Sequence, residues 1–175
     1  MITSNKTGNI KIVQRLILAA LWLLCSRLPA HAQPPPPHPF TVFVNPAQGL
    51  IFGAFFHGVS GGSVIIFPDG SRSVTGDVVQ ANLGFPFSAA IYEIEAVPGT
   101  AISILNGADA ILSGSNGGSV TLHIGTASTG ALFITSAVPP ARTQVRIGGT
   151  LSIGSALANP AGSYSGFFSV TFIQE

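Results

Sequence analysis

Short segments rich in Val, Ile, Phe and Thr alternate with Gly, Asn, Asp, Ser and Pro along most of this 175-residue chain. Turn-forming residues at such short intervals interrupt helices, and no window beyond residue 32 keeps a helical period. The predicted strands are 40–44, 49–54, 62–67, 72–79, 87–96, 101–105, 118–125, 131–135, 143–148, 150–157 and 163–173. Short strands with frequent turns are typical of two packed antiparallel sheets. The sequence therefore predicts an all-β chain with an antiparallel β-sandwich fold.

Apolar and polar residues alternate within several of these segments, which assigns one face of each strand to the core. In 91–96, Tyr92 and Ile94 share the predicted core face, and Glu93 and Glu95 lie on the opposite face. Further inward residues by the same alternation are Val120, Leu122, Ile124, Val145, Ile147, Phe168, Val170 and Phe172. The outward residues are mostly Ser, Thr and Gly, so we expect a weakly charged sheet surface.

The first 32 residues have the three parts of a cleavable signal peptide. Cationic residues, a short apolar run and a small-x-small site follow one another: Lys6, Lys11 and Arg15, then 16–25, then Ala30-His31-Ala32. The apolar run is shorter than the roughly 20 residues that cross a bilayer, and Arg27 follows it. We predict cleavage after Ala32, no membrane span in the remaining chain, and export to the periplasm, the extracellular space or the cell surface.

The predicted domain organisation follows from this cleavage site. Residues 1–32 form the signal peptide, and residues 33–39 (QPPPPHP) form a proline-rich spacer. Residues 40–175 form a single sandwich domain, in which 40–48 is a candidate exchangeable N-terminal strand. A lipid anchor on Cys25 is an alternative to simple cleavage, although Leu24 stands where lipidation usually needs a small residue.

Removal of the predicted signal peptide changes the charge of the chain. The formal net charge is +1 over 175 residues, but residues 33–175 hold three Arg and six Asp or Glu residues, which gives −3. A chain of this composition offers no basic surface to nucleic acid. Cys25 is the only cysteine and lies within the predicted signal peptide, so we expect no disulfide in the mature protein.

No pattern of catalytic, cofactor-binding or metal-ligating residues stands out in residues 33–175. His38, His57 and His123 lack metal-ligand spacing, and no cysteine is present to join them. Glu93 and Glu95 share a strand face, but such a pair on a half-exposed strand is more typical of a solvated surface than of glycosidase chemistry. We expect a protein that is not an enzyme and that uses no cofactor or metal.

The two ends of the predicted domain carry the most information about function. The segment 163–173 is a long, uncharged, alternating strand near the C-terminal end. An uncovered strand of this kind promotes aggregation, so we expect another segment to cover it. The segment 40–44 (FTVFV) follows the proline-rich spacer and can pair with its own sheet or with that of a neighbouring molecule.

Glycine, aromatic and apolar residues also follow a recognisable order. Over 148–172 these residues are Gly149, Thr150, Leu151, Ile153, Gly154, Gly162, Tyr164, Gly166, Phe168, Val170 and Phe172. Earlier in the chain they are Gly53 within 49–56, and Gly62, Val64, Gly70, Arg72 and Gly76 within 61–78. This order resembles the motifs of a bacterial secreted family called domain of unknown function 4402, and the resemblance covers roughly residues 40–173.

The resemblance implies an immunoglobulin-like or pilin-like sandwich. The family is similar to the spore coat protein U group, which in turn looks similar to subunits of chaperone–usher pili. Such subunits have a Gly fourteenth from the end, and Gly162 has this position here, but their penultimate residue is aromatic where this chain has Gln174. The resemblance implies structural roles for Gly53, Gly149, Gly154, Gly162, Tyr164 and Gly166.

We therefore predict an exported, non-enzymatic structural protein: a pilin-like or coat-like subunit of a bacterial surface assembly that uses β-strand addition. The assembly candidates are the donor side chains Phe40, Val42 and Val44 and the acceptor side chains Phe168, Val170 and Phe172. Expected partners are copies of itself or other surface subunits, with a periplasmic chaperone as a further candidate. The alternative is a self-contained secreted sandwich that binds glycan or protein through its loops.

Overall fold

The structure, a computed structural model, describes residues 39–175. Within this range it contains eleven β-strands and one short 3₁₀-helix, Pro46–Gln48. The strands are β1 (Thr41–Val44), β2 (Phe55–Ile66), β3 (Arg72–Gln80), β4 (Ala90–Glu95), β5 (Ala101–Asn106), β6 (Ala110–Gly114), β7 (Ser119–Ala127), β8 (Leu132–Ile134), β9 (Thr143–Ile153), β10 (Tyr164–Ser165) and β11 (Val170–Gln174). The predicted all-β fold is confirmed. Among these residues, no helix is long and apolar enough to cross a membrane.

Two antiparallel sheets form the sandwich. The larger sheet has the order β1-β4-β9-β7-β6-β10, with β2 beside β9 and β3 beside β2, and the smaller sheet has the order β11-β5-β8. The long strand β9 pairs with β4 through its first half, where Ile147 lies opposite Ala90, and with β2 through its second half, where Ile153 lies opposite Gly62. Because β7 pairs with the other edge of β9, β9 is the central strand of the larger sheet.

The core consists of two clusters of apolar side chains. The inter-sheet cluster lies between the two sheets and includes Ile94, Ile124, Val145 and Ile147 from the larger sheet and Ile102 and Phe133 from the smaller one. The large-sheet cluster is built on the curled larger sheet and includes Val64, Ile66, Val78, Val120, Leu122, Leu151 and Ile153. Phe168, in the connection between β10 and β11, packs against both clusters and so joins the two parts of the core.

The prediction of a strand at 49–54 is wrong. Only Ile51 forms an isolated bridge, to Ser88, and Phe52 is buried in the large-sheet cluster. Gly53 has a φ of +70°, which interrupts the extended backbone before β2 begins at Phe55. The alternating apolar residues of this segment therefore fill the core without forming a ladder.

Other strand boundaries also differ from the prediction. The segments 143–148 and 150–157 merge into β9, because Gly149 stays extended and lies opposite both Ile66 and Ile124. The segment 163–173 is divided into β10 in the larger sheet and β11 in the smaller one, since the chain crosses between the sheets. Strand β6 was not predicted, because its sequence, AILSG, has three consecutive apolar residues followed by Ser and Gly and so does not alternate.

Part of the predicted domain organisation lies outside the described residues. This applies to the signal peptide, 1–32, and to the proline-rich spacer, 33–39, except for Pro39.

Candidate strand-addition site

Strand β1 occupies one edge of the larger sheet and pairs with β4 of its own chain. The pairing is antiparallel and covers four residues, with Val42 opposite Ile94 and Phe43 opposite Glu93. Along its other edge β1 has no partner strand within residues 39–175. The candidate exchangeable strand thus pairs within its own chain in this structure, but along one edge only.

The inward side of β1 contributes to the core. Phe40 and Val42 are half-buried and pack against the inter-sheet cluster. Val44 is 60% exposed, because it is the last residue of β1 and the chain turns at Asn45 to begin the 3₁₀-helix. Two of the three predicted donor side chains therefore contact the core, and the third does not.

The outward side of β1 and β4 holds an ion-pair network. Arg142 donates through Nη1 to Glu93 Oε2 at 3.0 Å and through Nε to Glu95 Oε2 at 3.3 Å. The same guanidinium lies over the ring of Phe43, with 3.5 Å between its carbon and the ring centroid. The pKa of Arg142 is raised, chiefly by the hydrogen bond to Glu93 and to a smaller extent by the bond to Glu95. The two predicted surface carboxylates are thus tied to one arginine.

Strand β11 occupies an edge of the smaller sheet and pairs only with β5 among the described residues. Its inward residues Val170 and Phe172 are half-buried and pack, with Phe168, against the inter-sheet cluster. The rings of Tyr92 and Phe172 lie 5.3 Å apart between centroids with a tilt of 58°, and burial raises the pKa of Tyr92. The structure therefore brings five of the six predicted assembly side chains to one cluster.

The aromatic residue of the C-terminal motif fixes the turn into β10. The hydroxyl of Tyr164 donates to the carbonyl of Pro160 at 2.7 Å, four residues upstream. Its ring lies so close to Gly114 of β6 that a Cβ there would fall 2.7 Å from a ring carbon. Gly166 passes equally close to β6, because a Cβ on it would lie 2.9 Å from the carbonyl oxygen of Ile111. These residues hold the crossing from β10 to β11 against β6.

The N-terminal motif residues Gly53 and Arg72 form one arrangement. Arg72 donates through Nη1 to the carbonyls of Phe52 and Ala54, at 3.0 and 3.3 Å, and its guanidinium lies 4.4 Å from the ring centroid of Phe87. A Cβ on Gly53 would lie 2.6 Å from the same Nη1. Glycine at this position leaves the space that the Arg72 side chain needs to form its hydrogen bonds to the segment before β2.

Of the remaining motif glycines, Gly154 contacts a buried asparagine that the sequence did not reveal. The N–H of Gly154 donates to Asn159 Oδ1, and Asn159 Nδ2 donates to the carbonyl of Ser119. Asn159 is only 3% exposed. Gly162 approaches the hydroxyl of Ser115, and Gly149 approaches Leu50. In the sequence, Asn159-Pro160 indicates only a turn, because burial of an amide has no local signature.

Histidine and acidic side chains do not gather into a cluster within residues 39–175. His123 pairs with Asp109, with 2.7 Å between Nδ1 and Oδ1, and both side chains are more than half exposed. His57 lies on β2 with a buried Nδ1 that has no hydrogen-bond partner. Over residues 39–175 no group of three His, Cys, Asp or Glu side chains could hold a metal ion.

A family model described as Domain of unknown function (DUF4402) matches residues 42–173. No curated protein and no solved structure matches the sequence. The matched range begins in β1 and ends in β11, so it includes both edge strands of the candidate site.

Proposed function

The chain belongs to the family described as domain of unknown function DUF4402, and we propose that it is an exported, non-enzymatic subunit of a bacterial surface assembly that associates by β-strand addition. In this proposal β11 is the acceptor strand and β1, with the residue before it, is the donor. The partners are copies of the same chain or other surface subunits, and a periplasmic chaperone would cover β11 before assembly.

The observation that carries the proposal is the free edge of β11. The carbonyl of Ser169 accepts from Gly107, and the N–H of Glu175 donates to Ala101, so odd-numbered residues of this segment direct their backbone groups to β5. Because these directions alternate along a strand, Val170, Phe172 and Gln174 direct theirs to the opposite edge. Within residues 39–175 no strand pairs with that edge.

The composition of β11 supports the same proposal. Monomeric proteins usually protect an edge strand with charged residues, proline or a bulge. The strand has the sequence VTFIQ, and its pairing with β5 continues from Val170 to Gln174 without a register shift. An unprotected edge beside half-buried apolar side chains can accept an extended segment whose alternate side chains are apolar. Residues 40–44 (FTVFV) have this pattern.

A proline substitution at the free edge tests the proposal. Gln174→Pro removes an N–H that points away from β5, so the intrachain ladder keeps its bonds while the acceptor edge loses one donor. Gln174→Thr is the matched control, because it changes the side chain and keeps the N–H. We expect the full-length protein and Gln174→Thr to form chains that resist SDS until heated, and Gln174→Pro to remain monomeric.

The measurements are gel filtration, negative-stain microscopy and SDS gels with and without heating. Circular dichroism on each variant confirms that the fold is kept. A wild-type protein that stays monomeric at all concentrations, or a Gln174→Pro variant that assembles as well as Gln174→Thr, contradicts the proposal.

A second candidate function is a self-contained binding module for protein or glycan, which a different surface favours. Apolar side chains are exposed on the β2–β3 ribbon and in the following loop: Phe56 60%, Val59 82%, Val79 62%, Leu83 60% and Phe85 65%. Phe56 and Val79 lie opposite each other in the ladder. Exposed apolar patches of this kind are frequent at binding sites. A stable monomer whose Phe56→Ser variant loses binding to a glycan or protein array would favour this candidate.

A further inference from the structure

Three of the nine Asp, Glu and Arg side chains in residues 39–175 meet on the outward face of β1 and β4. Glu93 and Glu95 are two residues apart in β4, so they share this face and repel each other. Arg142 compensates for this repulsion by bonding to both. Arg142 precedes β9, so the network connects β4 to a segment distant in sequence.

The same arginine also connects this network to β1. Its guanidinium covers the ring of Phe43, which lies opposite Glu93 in the ladder. A cation over an aromatic face attracts the ring, and the attraction adds to the ion pairs because one guanidinium makes both contacts. Arg142 therefore contacts β1 from the outer side, where the core does not reach.

Other contacts retain β1 only weakly. The strand has four residues, one neighbouring strand and one inward side chain, Val42, with Phe40 just before it. Both inward side chains are half-buried rather than buried. A short edge strand with this little covered surface opens locally at a low free energy. A single additional contact can consequently change the fraction of molecules in which β1 is paired with β4.

We propose that Arg142 is a latch that holds β1 in its own sheet, and that its release determines how often β1 is available to another molecule. The role of this latch in assembly rests on the proposed function, whereas its effect on β1 does not. Arg142 is a positioning residue here, because it acts through Phe43, Glu93 and Glu95. High salt or a competing anionic group on a partner releases it, since all three charged side chains are partly exposed.

Hydrogen exchange on the full-length protein tests the latch without any assembly. In Arg142→Gln, the amides of 40–48 are expected to exchange about fivefold faster than in the wild type, as exposed ion pairs and cation–π contacts are individually weak. Exchange in β9 is expected to stay unchanged, which separates opening of β1 from global unfolding. Raising the salt concentration is expected to speed exchange of 40–48 in the wild type and to have little effect in Arg142→Gln.

Arg146→Gln is the matched control. Arg146 also lies near the start of β9 and is exposed, but its Nε donates to Gln144. Among the described residues, no ion pair or cation–π contact joins it to β1. The substitution removes the same charge from the protein. A second variant, Glu93→Gln with Glu95→Gln, removes the ion pairs and keeps Phe43, and we expect it to speed exchange of 40–48 as well. Equal exchange in the wild type and Arg142→Gln, or equal acceleration by Arg146→Gln, overturns the latch.

The assembly assay then separates the latch from the proposed function. If Arg142→Gln accelerates both exchange of 40–48 and chain formation, the latch and its role in assembly are supported. If it accelerates exchange and no variant assembles, the latch is supported and the proposed function fails. If the wild type assembles and Arg142→Gln assembles at the same rate despite faster exchange, release of β1 does not limit assembly, and that part of the proposal is overturned.

Discussion

The central strands of the larger sheet and the edge strands β1 and β11 differ in how completely their side chains are covered. Val64 and Ile66 of β2 and Val145 and Ile147 of β9 are at most 1% exposed. The inward side chains of the two edge strands, in contrast, are half-buried. The central strands have neighbours on both edges and packed clusters over their inward faces, whereas each edge strand lacks one neighbour. We therefore expect the stability of the fold to depend mainly on the central strands, whereas the strand exchange proposed above involves only the edge strands.

Truncation of a buried central side chain is expected to destabilise the protein most, and it tests whether the centre and the edges differ in their contribution to stability. Ile66→Ala removes three carbons from a site that is 1% exposed, and we expect it to lower the free energy of unfolding by about 2–5 kcal/mol. Ile173→Ala, on the outward face of β11 and 43% exposed, is the control and should cost less than about 1 kcal/mol. Urea unfolding measures both. Equal losses would mean that the edge strand is as important to stability as the centre.

Removal of the buried side-chain amide of Asn159 tests whether the loop after β9 belongs to the stable core of the domain. Asn159→Ala leaves the N–H of Gly154 and the carbonyl of Ser119 without their partner, and we expect a loss of about 1–3 kcal/mol in the free energy of unfolding. Asn116→Ala is the control, since its bond to the carbonyl of Ala161 is exposed. Thermal unfolding of the two variants is the measurement. A loss no larger than that of Asn116→Ala would place the loop after β9 outside the cooperative core.

A valine substitution within β1 is expected to destabilise the protein least, and it tests how much this edge strand contributes to stability. Val42 is half-buried against the inter-sheet cluster, so Val42→Ala should lower the free energy of unfolding by about 1 kcal/mol or less. Val44→Ala, at a site that is 60% exposed, should have almost no effect. Urea unfolding again provides the values. A loss at Val42 as large as that at Ile66 would show that β1 is integral to the fold, and its release would then require global unfolding.

Alternation predicted much of the architecture, because the side chains of a strand point in turn to opposite faces. Tyr92, Ile94, Val145 and Ile147 were assigned inward from the sequence, and all four lie in or against the inter-sheet cluster. Alternation does not distinguish a hydrogen-bonded strand from an unpaired segment whose apolar side chains fill the core. For this reason 49–54 was predicted as a strand. The positive φ of Gly53 decides that case, and a glycine in the sequence does not reveal the sign of its φ.

The candidate site was predictable only in part. The alternating segments at the two ends of the domain identified Phe40, Val42, Phe168, Val170 and Phe172, which do meet at one cluster. The pairing of β1 with β4 and the contact between Arg142 and Phe43 depend on which strands become neighbours. These contacts join residues that lie far apart in the chain, and no local pattern encodes them. Glu93 and Glu95 looked like a solvated pair for the same reason.

The position of β9 in the chain has a consequence for the order of folding. Its partners β2, β4 and β7 all precede it, and the pairing of Gly62 with Ile153 joins residues far apart in sequence. Contacts between residues so far apart in sequence form slowly, because the entropy of closing a long loop is lost before any stabilising hydrogen bond forms. Until residues 143–153 are in place, three strands lack their common neighbour. During this interval the nascent domain exposes several unpaired strand edges. A chaperone that covers such edges would be needed most at that stage.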